Sequence, residues 1–263
     1  MTVYWYNGKL ISSPTIELDI YDPGFLYGAT VFTTLRVYNN TLDSRLTNWS
    51  AHCDRLKFSL HSFHWSEPNW EQVRQGGQLL LAHYPVLRIT IFPDGRELII
   101  GRFLPPNLTS QQTEGIKCVL AMAELGRSLP GHKTGNYLSP WLAKNQATDA
   151  QEAILVDVAG NWLETSTGNL WGWKDGTWWT PPLTAGILPG VVRQQILNHL
   201  ENQQIICQME PWSADIVQGF EAIAYTNSVV ELIPIHTVQY PTGSLPYHPH
   251  HPSLQQLRSF FLA

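Results

Sequence analysis

The fold is decided by G-H-K-T-G-N-Y-L at residues 131–138, W-L-E-T-S-T-G-N-L-W at residues 162–171 and I-L-P-G-V-V-R at residues 187–193. The first segment is a glycine-flanked loop that carries Lys133 directly before a predicted helix with an apolar face. The second is a short hairpin strand that ends on Glu164 and then turns at T-S-T-G-N. The third is a proline-glycine turn into the start of another predicted helix.

Each of these segments has a chemical interpretation besides an ordinary surface role. A lysine held in a partly desolvated pocket has a lowered pKa and can attack an aldehyde. A carboxylate such as Glu164 can keep a pyridine nitrogen protonated, so that the ring draws electrons from a bound substrate. The free N–H groups of a helix that begins at Val191 suit a phosphate. The three together predict a pyridoxal-phosphate site, although each alone is more often a solvated side chain or a simple turn.

Composition narrows the class of protein. A chain of 263 residues suits one large domain or two modest ones. The net charge of −5 and the absence of a Lys/Arg run argue against a nucleic-acid partner. No signal-peptide pattern or membrane-spanning apolar run is visible, which predicts a cytoplasmic protein without a membrane partner.

The sequence contains no pattern typical of a metal site. Its three cysteines are odd in number and widely spaced, which favours reduced thiols. His248, His250 and His251 lie in a proline-rich stretch with irregular spacing and without Cys or carboxylate partners. We therefore interpret them as histidines of a solvated loop and predict no bound metal.

The order of helical and strand patterns predicts an α+β protein in two domains. Residues 1–108 are predicted to form a small N-terminal α+β domain, and residues 109–263 a larger C-terminal domain that carries Lys133. The boundary falls in the polar, proline-containing stretch 104–113. The main predicted elements are strands at 3–6, 9–11, 30–38, 86–92 and 97–103, helices at 48–63, 69–83, 138–150 and 191–202, and a surface loop at 240–252.

Three further motifs carry a resemblance to a known family. They are Y-G-A-T-V-F-T-T-L-R at residues 27–36, H-C-D-R-L at residues 52–56 and T-N-S-V-V-E-L-I-P at residues 226–234. In this order, with Lys133 and Glu164 between them, they resemble the fold-type IV pyridoxal-phosphate enzymes. That family includes branched-chain aminotransferases, D-amino-acid aminotransferases and aminodeoxychorismate lyases. The resemblance covers nearly the whole chain and implies their two-domain architecture, pyridoxal 5′-phosphate as cofactor, a small-molecule substrate and a homodimer.

The resemblance also implies roles for single residues around the cofactor ring. Lys133 would hold the cofactor as an imine and then transfer protons. Glu164 would pair with the ring nitrogen, and Tyr137 would lie near the phenolic oxygen O3′.

Other residues are implied at the phosphate. Arg55 would contact it as a charged donor, and Val191 and Val192 would donate backbone N–H groups. Ser228 would add a hydroxyl to the phosphate or help to bind the substrate carboxylate. Many relatives have Thr where Val192 stands, so one bond of about 1.5–3 kcal/mol is expected to be missing here.

On the substrate side the resemblance implies a separate group of residues. Arg88 and Arg96 are candidates for binding a substrate carboxylate. The sequence leaves open whether Arg36, Arg88 or Arg96 faces the substrate. The group consists of Tyr27, Arg36, Arg88, Arg96 and Val229.

The shared motifs do not separate a lyase from an aminotransferase, and the peripheral residues are mixed. F-T-T-x-R at residues 32–36 and L-G-R at residues 125–127 are similar to the lyases, as is the two-residue gap between Lys133 and Asn136. The Asn136-Tyr137 pair and the loop at residues 92–96 depart from the lyase pattern.

A ranked hypothesis follows. A lyase that converts 4-amino-4-deoxychorismate to pyruvate and 4-aminobenzoate, a step of folate biosynthesis, comes first. A branched-chain or related aminotransferase comes second. A D-amino-acid aminotransferase comes third, because such enzymes place a His two residues after an Arg where Leu98 follows Arg96 here. A relative that binds the cofactor without turnover, or an interaction protein, stays open.

Overall fold

The computed structural model describes residues 2–146 and 149–262. Its chain packs into two compact units, which we propose correspond to the two predicted domains. Unit 1 comprises Met1–Pro105 and His132–Asn136, and unit 2 comprises Pro106–Gly131 and Tyr137–Ala263. The segment that carries Lys133 thus groups with unit 1, whereas the sequence had placed it in the second domain.

Unit 1 is built on a five-stranded antiparallel sheet in the order β2-β1-β5-β4-β3. Its strands are β1 (Val3–Tyr6), β2 (Lys9–Ser12), β3 (Val31–Arg36), β4 (Val86–Ile91) and β5 (Glu97–Arg102). Its helices are α1 (Pro23–Tyr27), α2 (Trp49–Ser62) and α3 (Trp70–Leu81). Asn7 and Gly8 join β1 to β2 with φ of 47° and 77°, the positive values that a two-residue hairpin turn needs. The side chains of Asn48 and Asn69 cap α2 and α3, which confirms both predicted helices.

One face of this sheet forms the core of unit 1 with α2 and α3. The buried side chains of this core include Val31, Leu35, Leu56, Leu60, Val73, Leu80, Leu87, Ile89, Ile91 and Ile99. Because successive strand residues point to opposite faces, the even-numbered positions of β3 face away from α2. That second face carries Phe32, Thr34 and Arg36.

Unit 2 contains a larger mixed sheet. Its strands are β6 (Ile116–Leu120), β7 (Glu152–Val156), β8 (Trp162–Thr165), β9 (Asn169–Lys174), β10 (Thr177–Trp179), β11 (Cys207–Gln208), β12 (Ala222–Asn227), β13 (Glu231–Tyr240) and β14 (Gly243–Pro246). Its α-helices are α4 (Leu108–Glu114), α5 (Leu138–Asn145), α6 (Val191–Asn202), α7 (Ala214–Gln218) and α8 (Pro252–Leu262). The strand order is β11-β10-β9-β12-β13-β6-β7-β8, and β8 pairs back onto β9, so the strands from β9 to β8 form a closed ring.

Several elements differ from the sequence prediction. Helix α4 occupies most of the stretch predicted as a linker, and β14 lies inside the predicted surface loop 240–252. The predicted chain break at Asp22 is instead the cap of α1, since its Oδ1 accepts a bond of 2.7 Å from the N–H of Gly24. The predicted helix 138–150 ends at Asn145, and its residues 147–148 lie outside the described residues. Among the described helices, none combines the length and the apolar character needed to cross a membrane.

Candidate active site

The segment around Lys133 extends the sheet of unit 1 beyond β3. The N–H of Phe32 donates to the carbonyl of Lys133 at 2.8 Å, and the N–H of Gly135 donates to the carbonyl of Thr30 at 2.7 Å. Val31 and Thr134 form an antiparallel bridge between these bonds. The segment therefore belongs to unit 1 by backbone pairing, for which the sequence around the lysine gives no strand pattern.

Two cationic side chains meet at the aromatic ring of Phe32. The Nζ atom of Lys133 lies 4.8 Å from the ring centroid, and the guanidinium carbon of Arg88 lies 3.5 Å from it. Arg88 is directly opposite Thr34 on the neighbouring strand, so it shares the face of Phe32. Arg36 follows on the same face, with its guanidinium carbon 4.8 Å from the ring of Tyr38. Among the arginines predicted on the substrate side, Arg88 thus shares the ring of Phe32 with Lys133.

On the opposite face of β3, a buried hydroxyl joins α2 to the sheet. The Nη2 atom of Arg55 donates to Oγ1 of Thr33 at 2.7 Å, and that oxygen lies 2.6 Å from Nδ1 of His52. The hydroxyl of Thr33 thus bonds both the guanidinium of Arg55 and the imidazole of His52. Burial, together with Arg55 and Lys133, holds the pKa of His52 well below its usual range, so the imidazole is neutral.

Arg96 has a different environment from Arg88. Its Nη2 donates to Asp22 at 2.6 Å, its Nε to Asp94 at 2.5 Å and its Nη1 to Tyr6 at 2.7 Å. Burial opposes the charged form, but these three partners outweigh it and raise the pKa of the guanidinium. The donors of Arg96 are thus committed to the sheet and to the cap of α1. Tyr27, the last residue of α1, is 75% exposed within the single chain.

In unit 2, Glu164 is buried and its negative charge is paired. Its Oε1 accepts from Nε of Arg127 at 2.6 Å, and both side chains are less than a tenth exposed. Burial disfavours the charged guanidinium, but Glu164 and Tyr137 outweigh it, and the pKa of Arg127 is raised. From the described residues, the second oxygen, Oε2, receives only long bonds of 3.3–3.4 Å, donated by the N–H of Leu188 and the amide of Asn169. Glu164 therefore keeps acceptor capacity for a further N–H donor.

Tyr137 lies beside this ion pair. Its hydroxyl accepts from Nη2 of Arg127 at 3.2 Å and donates to the carbonyl of Ser166 in a short hydrogen bond. Burial raises the pKa of Tyr137, and Arg127 works in the opposite direction. Ser166 is held in turn by Glu152, a fully buried carboxylate that accepts from the hydroxyls of Ser166 and Thr167. Glu152, which no sequence motif singled out, thus fixes the T-S-T-G turn.

The start of α6 has no side-chain cap and is tied to Glu164 through Asn169. Gly190 stands at the N-cap without a side-chain hydrogen bond, so the first N–H groups of the helix, from Val191 onward, are not capped by a side chain. A Cβ on Gly190 would lie 2.0 Å from Oδ1 of Asn169, so only glycine allows this approach. Asn169 donates to the carbonyl of Leu188 at 2.9 Å, and its longer bond to Glu164 ties the helix start to the carboxylate.

The remaining predicted residues of unit 2 lie in the turn between β12 and β13. Oδ1 of Asn227 accepts from the N–H groups of Val229 and Val230 at 2.9 and 3.0 Å, which closes the turn around Ser228. Ser228 and Val229 are half-buried. The turn is therefore ordered by the asparagine of the T-N-S-V-V motif.

Each unit by itself contains groups that suit pyridoxal phosphate. Unit 1 contains an amine, Lys133, and a guanidinium, Arg55. Unit 2 supplies a buried carboxylate with a remaining lone pair and a helix start suited to a phosphate. By contrast, no group of three His, Cys, Asp or Glu side chains in the described ranges is arranged to hold a metal. His251 instead lies 3.3 Å from a carboxylate oxygen of Glu221.

Sequence reasoning missed some residues of this arrangement. Arg127 was noted only as part of L-G-R, and the partners of Glu164 cannot be read from its neighbours in the chain. His52 was noted only as part of H-x-x-R-L; the i, i+3 spacing of His52 and Arg55 on a helix is the signal that both reach one strand. Glu152 had no signal beyond an acidic residue at the start of an apolar strand.

Comparison with known proteins identifies the family. The model of the family described as "Amino-transferase class IV" matches residues 30–238. An aminodeoxychorismate lyase of Vibrio harveyi is 24% identical over 264 residues, covering 93% of this chain and 94% of that protein. A putative branched-chain-amino-acid aminotransferase of Methanocaldococcus jannaschii is also 24% identical, over 263 residues, covering 90% and 88%.

Solved structures share the fold. The branched-chain aminotransferase of Escherichia coli superimposes with a TM-score of 0.85 at 20% identity, covering 99% of this chain and 93% of that chain. A second branched-chain aminotransferase, solved in complex with N-(5′-phosphopyridoxyl)-L-glutamate, superimposes with a TM-score of 0.81 at 19% identity, with the same coverage. The predicted α+β fold of fold-type IV enzymes is thereby confirmed. Because the family model covers most of the chain, this protein belongs to the class IV aminotransferases and is a pyridoxal-phosphate-dependent enzyme.

Proposed function

We propose that this protein is a 4-amino-4-deoxychorismate lyase, which releases pyruvate and 4-aminobenzoate for folate biosynthesis. The observation that carries the proposal is the cationic face of β3 and β4, where Arg88 and Lys133 meet at Phe32 and Arg36 follows. The substrate of a lyase carries two carboxylates, one on the ring and one on its enolpyruvyl group. Two arginines on one face suit such a dianion better than the apolar side chain of a branched-chain amino acid.

The proposed roles are those that the family resemblance implies, and the environments described above are compatible with them. Pyridoxal phosphate, when bound, supplies an aldehyde for the substrate amine and a ring that withdraws electrons. Lys133 would hold the cofactor through Nζ, and Glu164 would accept a hydrogen bond from the ring nitrogen. Arg55 and the N–H groups of Val191 and Val192 bind the phosphate. Ser228 adds a hydroxyl there.

The same residues account for the proton movements of a lyase. Nζ of Lys133 would take the proton from the ring carbon that bears the substrate amine, and the C–O bond to the enolpyruvyl group would break with its electron pair on that oxygen. The released enolate would gain a proton on its terminal carbon to become pyruvate, and the ring would become aromatic. Tyr137, fixed by Arg127 and Ser166, stays protonated and orients the cofactor near O3′.

On the substrate side, we propose Arg88 rather than Arg96 as the carboxylate ligand. The donors of Arg96 are engaged by Asp22, Asp94 and Tyr6, and release of Asp22 would leave a buried charge unpaired. Arg36, Tyr27 and Val229 remain proposed contacts from the family resemblance. The resemblance also implies a homodimer in the cytoplasm, and sedimentation velocity of the holoenzyme tests the dimer.

A paired assay decides the reaction. With 4-amino-4-deoxychorismate as substrate, we expect the holoenzyme to release pyruvate and 4-aminobenzoate in equal amounts, and Lys133→Ala to release neither. In the second arm, 2-oxoglutarate is supplied with leucine or valine. Formation of glutamate there, without release of 4-aminobenzoate in the first arm, would replace the lyase by an aminotransferase.

Two departures from the lyase pattern and the charge of 2-oxoglutarate favour the alternative, an aminotransferase. The Asn136-Tyr137 pair and the loop at residues 92–96 depart from the lyase pattern, and 2-oxoglutarate is also a dianion that two arginines could bind. A matched variant separates the cases: Arg88→Leu should raise the KM for 4-amino-4-deoxychorismate if the lyase is correct. If it raises only the KM for 2-oxoglutarate, the aminotransferase is correct.

A further inference from the structure

His132, the residue before the proposed cofactor lysine, is held by α2 rather than by solvent. Its ring stacks on Phe58 with a centroid distance of 5.3 Å and an interplanar angle of 11°. It also packs at 4.5 Å against Phe63, the residue that follows the helix. Its Nδ1 atom lies 3.0 Å from the hydroxyl of the buried Ser59. Two contacts from α2 and one from the residue after it thus hold the side chain of His132.

The segment that contains His132 pairs with β3 as a strand does, so its successive side chains point to opposite faces of the sheet. Lys133 lies opposite Phe32, so the two side chains share one face, and the neighbouring His132 points to the other face, toward α2. A shift of the pairing by one residue would exchange these directions. Lys133 would then face α2, and its amine would be removed from Arg88 and Phe32.

The backbone of the segment fixes this register only in part. Gly131 has nothing within 4 Å of the position of a Cβ, so it adds no constraint from that side. Gly135 adds one, because a Cβ there would lie 2.3 Å from Oγ1 of Thr30. Between them, His132 contacts Phe58 and Ser59 of α2 and the following Phe63, and burial lowers its pKa so that it packs as a neutral ring.

We propose that His132 is a positioning residue that sets the register of residues 132–136 on β3, so that Lys133 faces Phe32 and Arg88. This inference rests on the proposed role of Lys133 as the residue that holds the cofactor. His132 acts through its neighbour and touches neither the cofactor nor the substrate in this role.

The test measures attachment of the cofactor to Lys133, independently of turnover. Full-length protein freed of cofactor is mixed with pyridoxal phosphate, whose aldehyde carbon bonds to Nζ with loss of water. Borohydride then reduces the new C–N bond, and mass spectrometry of peptides locates and quantifies the pyridoxyl group over time. We expect His132→Ala to attach cofactor at Lys133 about tenfold more slowly than the parent, as a misplaced reactive group would. His132→Phe keeps an aromatic ring and should restore the rate to within about twofold of the parent.

Two further variants separate positioning from loss of folding. Phe58→Ala removes the stacking partner from a side chain that is 58% exposed, so the fold should survive, and attachment should slow in the same direction. Phe103→Ala is the matched control, since that ring is 73% exposed and packs on Tyr84 away from the lysine segment; its rate should equal that of the parent. All rates are compared below the unfolding midpoint of each variant.

The outcomes are distinct. If the parent attaches no cofactor at Lys133, the proposed function fails. If the parent attaches it and folded His132→Ala does so at the same rate, the inference on His132 fails while the function stands. A fall in the unfolding midpoint of His132→Ala with an unchanged attachment rate would also overturn it, because that is the result of a purely structural contact.

Discussion

Replacing Arg127 by Met tests the buried ion pair that supports the proposed site. The change keeps much of the side-chain volume but removes the charge from a carboxylate that is itself 2% exposed. Glu164 would then keep only the long contacts to Leu188 and Asn169, at 3.3 and 3.4 Å. Breaking a buried pair in this way lowers the free energy of unfolding by about 3–5 kcal/mol. We expect a loss of that size in the apoprotein.

A second variant shows whether the loss of stability comes from the unpaired charge of Glu164. Replacing both partners removes the uncompensated carboxylate, and paired replacement of buried ions is often nearly neutral. Arg127→Met/Glu164→Gln should therefore recover at least half of the lost stability. The difference between the single and double variants measures the coupling of the two groups.

The assay is urea unfolding of the apoprotein followed by tryptophan emission. Seven of the eleven tryptophans lie in unit 2, so the emission reports mainly on the unit that contains the ion pair. The transition is fitted with a separate midpoint for each unit, because a two-unit chain need not unfold in one step. A change of less than about 0.5 kcal/mol in Arg127→Met would refute the argument, since that is typical of an exposed position. A double variant as unstable as the single one would refute it as well.

Three other predictions concern the carboxylate, the phosphate site and the buried histidine. Glu164→Gln should still bind pyridoxal phosphate but lose about 100-fold or more in turnover, whereas the exposed Glu210→Gln should not; equal turnover in both would give Glu164 another role. Val192→Thr should bind cofactor about tenfold more tightly in an absorbance titration, because a hydroxyl is added at the start of α6; no gain over the buried but remote Val217→Thr would count against the phosphate site. The pKa of His52 is lowered from 6.5, so as pH falls below 6.5 the unfolded chain takes up a proton that the folded chain does not. Stability is then complete above pH 6.5 and falls by up to about 1.4 kcal/mol per pH unit below it, toward the folded-state pKa. His52→Gln should flatten this slope in urea titrations, and an unchanged slope would assign it to other groups.

Elements with a local physical signal were predictable from the sequence. Asn7-Gly8 specifies a tight hairpin through positive φ, and Asn48 and Asn69 specify helix starts through their side-chain oxygens. The helix at residues 191–202 was predicted with the bounds that the structure has, because a Pro-Gly turn precedes a long helical pattern. The closed ring of strands in unit 2 had no such signal, because β6 and its neighbours are joined by pairings between residues far apart in the chain.

The residues of the candidate site also divide into those with a local sequence signal and those that depend on long-range pairing. Lys133, Glu164 and the helix start lie within short motifs, so the sequence is enough to name them. The partner of Glu164 is Arg127, 37 residues away, and the hydroxyl that bonds Arg55 comes from Thr33, 22 residues away. Such contacts depend on how strands pair, and a single sequence does not encode that pairing in any short pattern. The choice between Arg88 and Arg96 on the substrate side has the same origin, since it depends on which arginine the strand pairing brings to the ring of Phe32.

The pairing of residues 132–136 with β3 has a consequence for solubility. β3 is the last strand of its sheet, and an open strand edge with apolar residues is a template for pairing with other chains. The lysine segment covers part of that edge with a short, glycine-containing stretch that offers little for a further strand to continue. A change that detaches the segment would therefore expose β3 and promote aggregation in addition to displacing Lys133. The residues that carry Lys133, the proposed cofactor lysine, thus also cover part of the edge of the sheet.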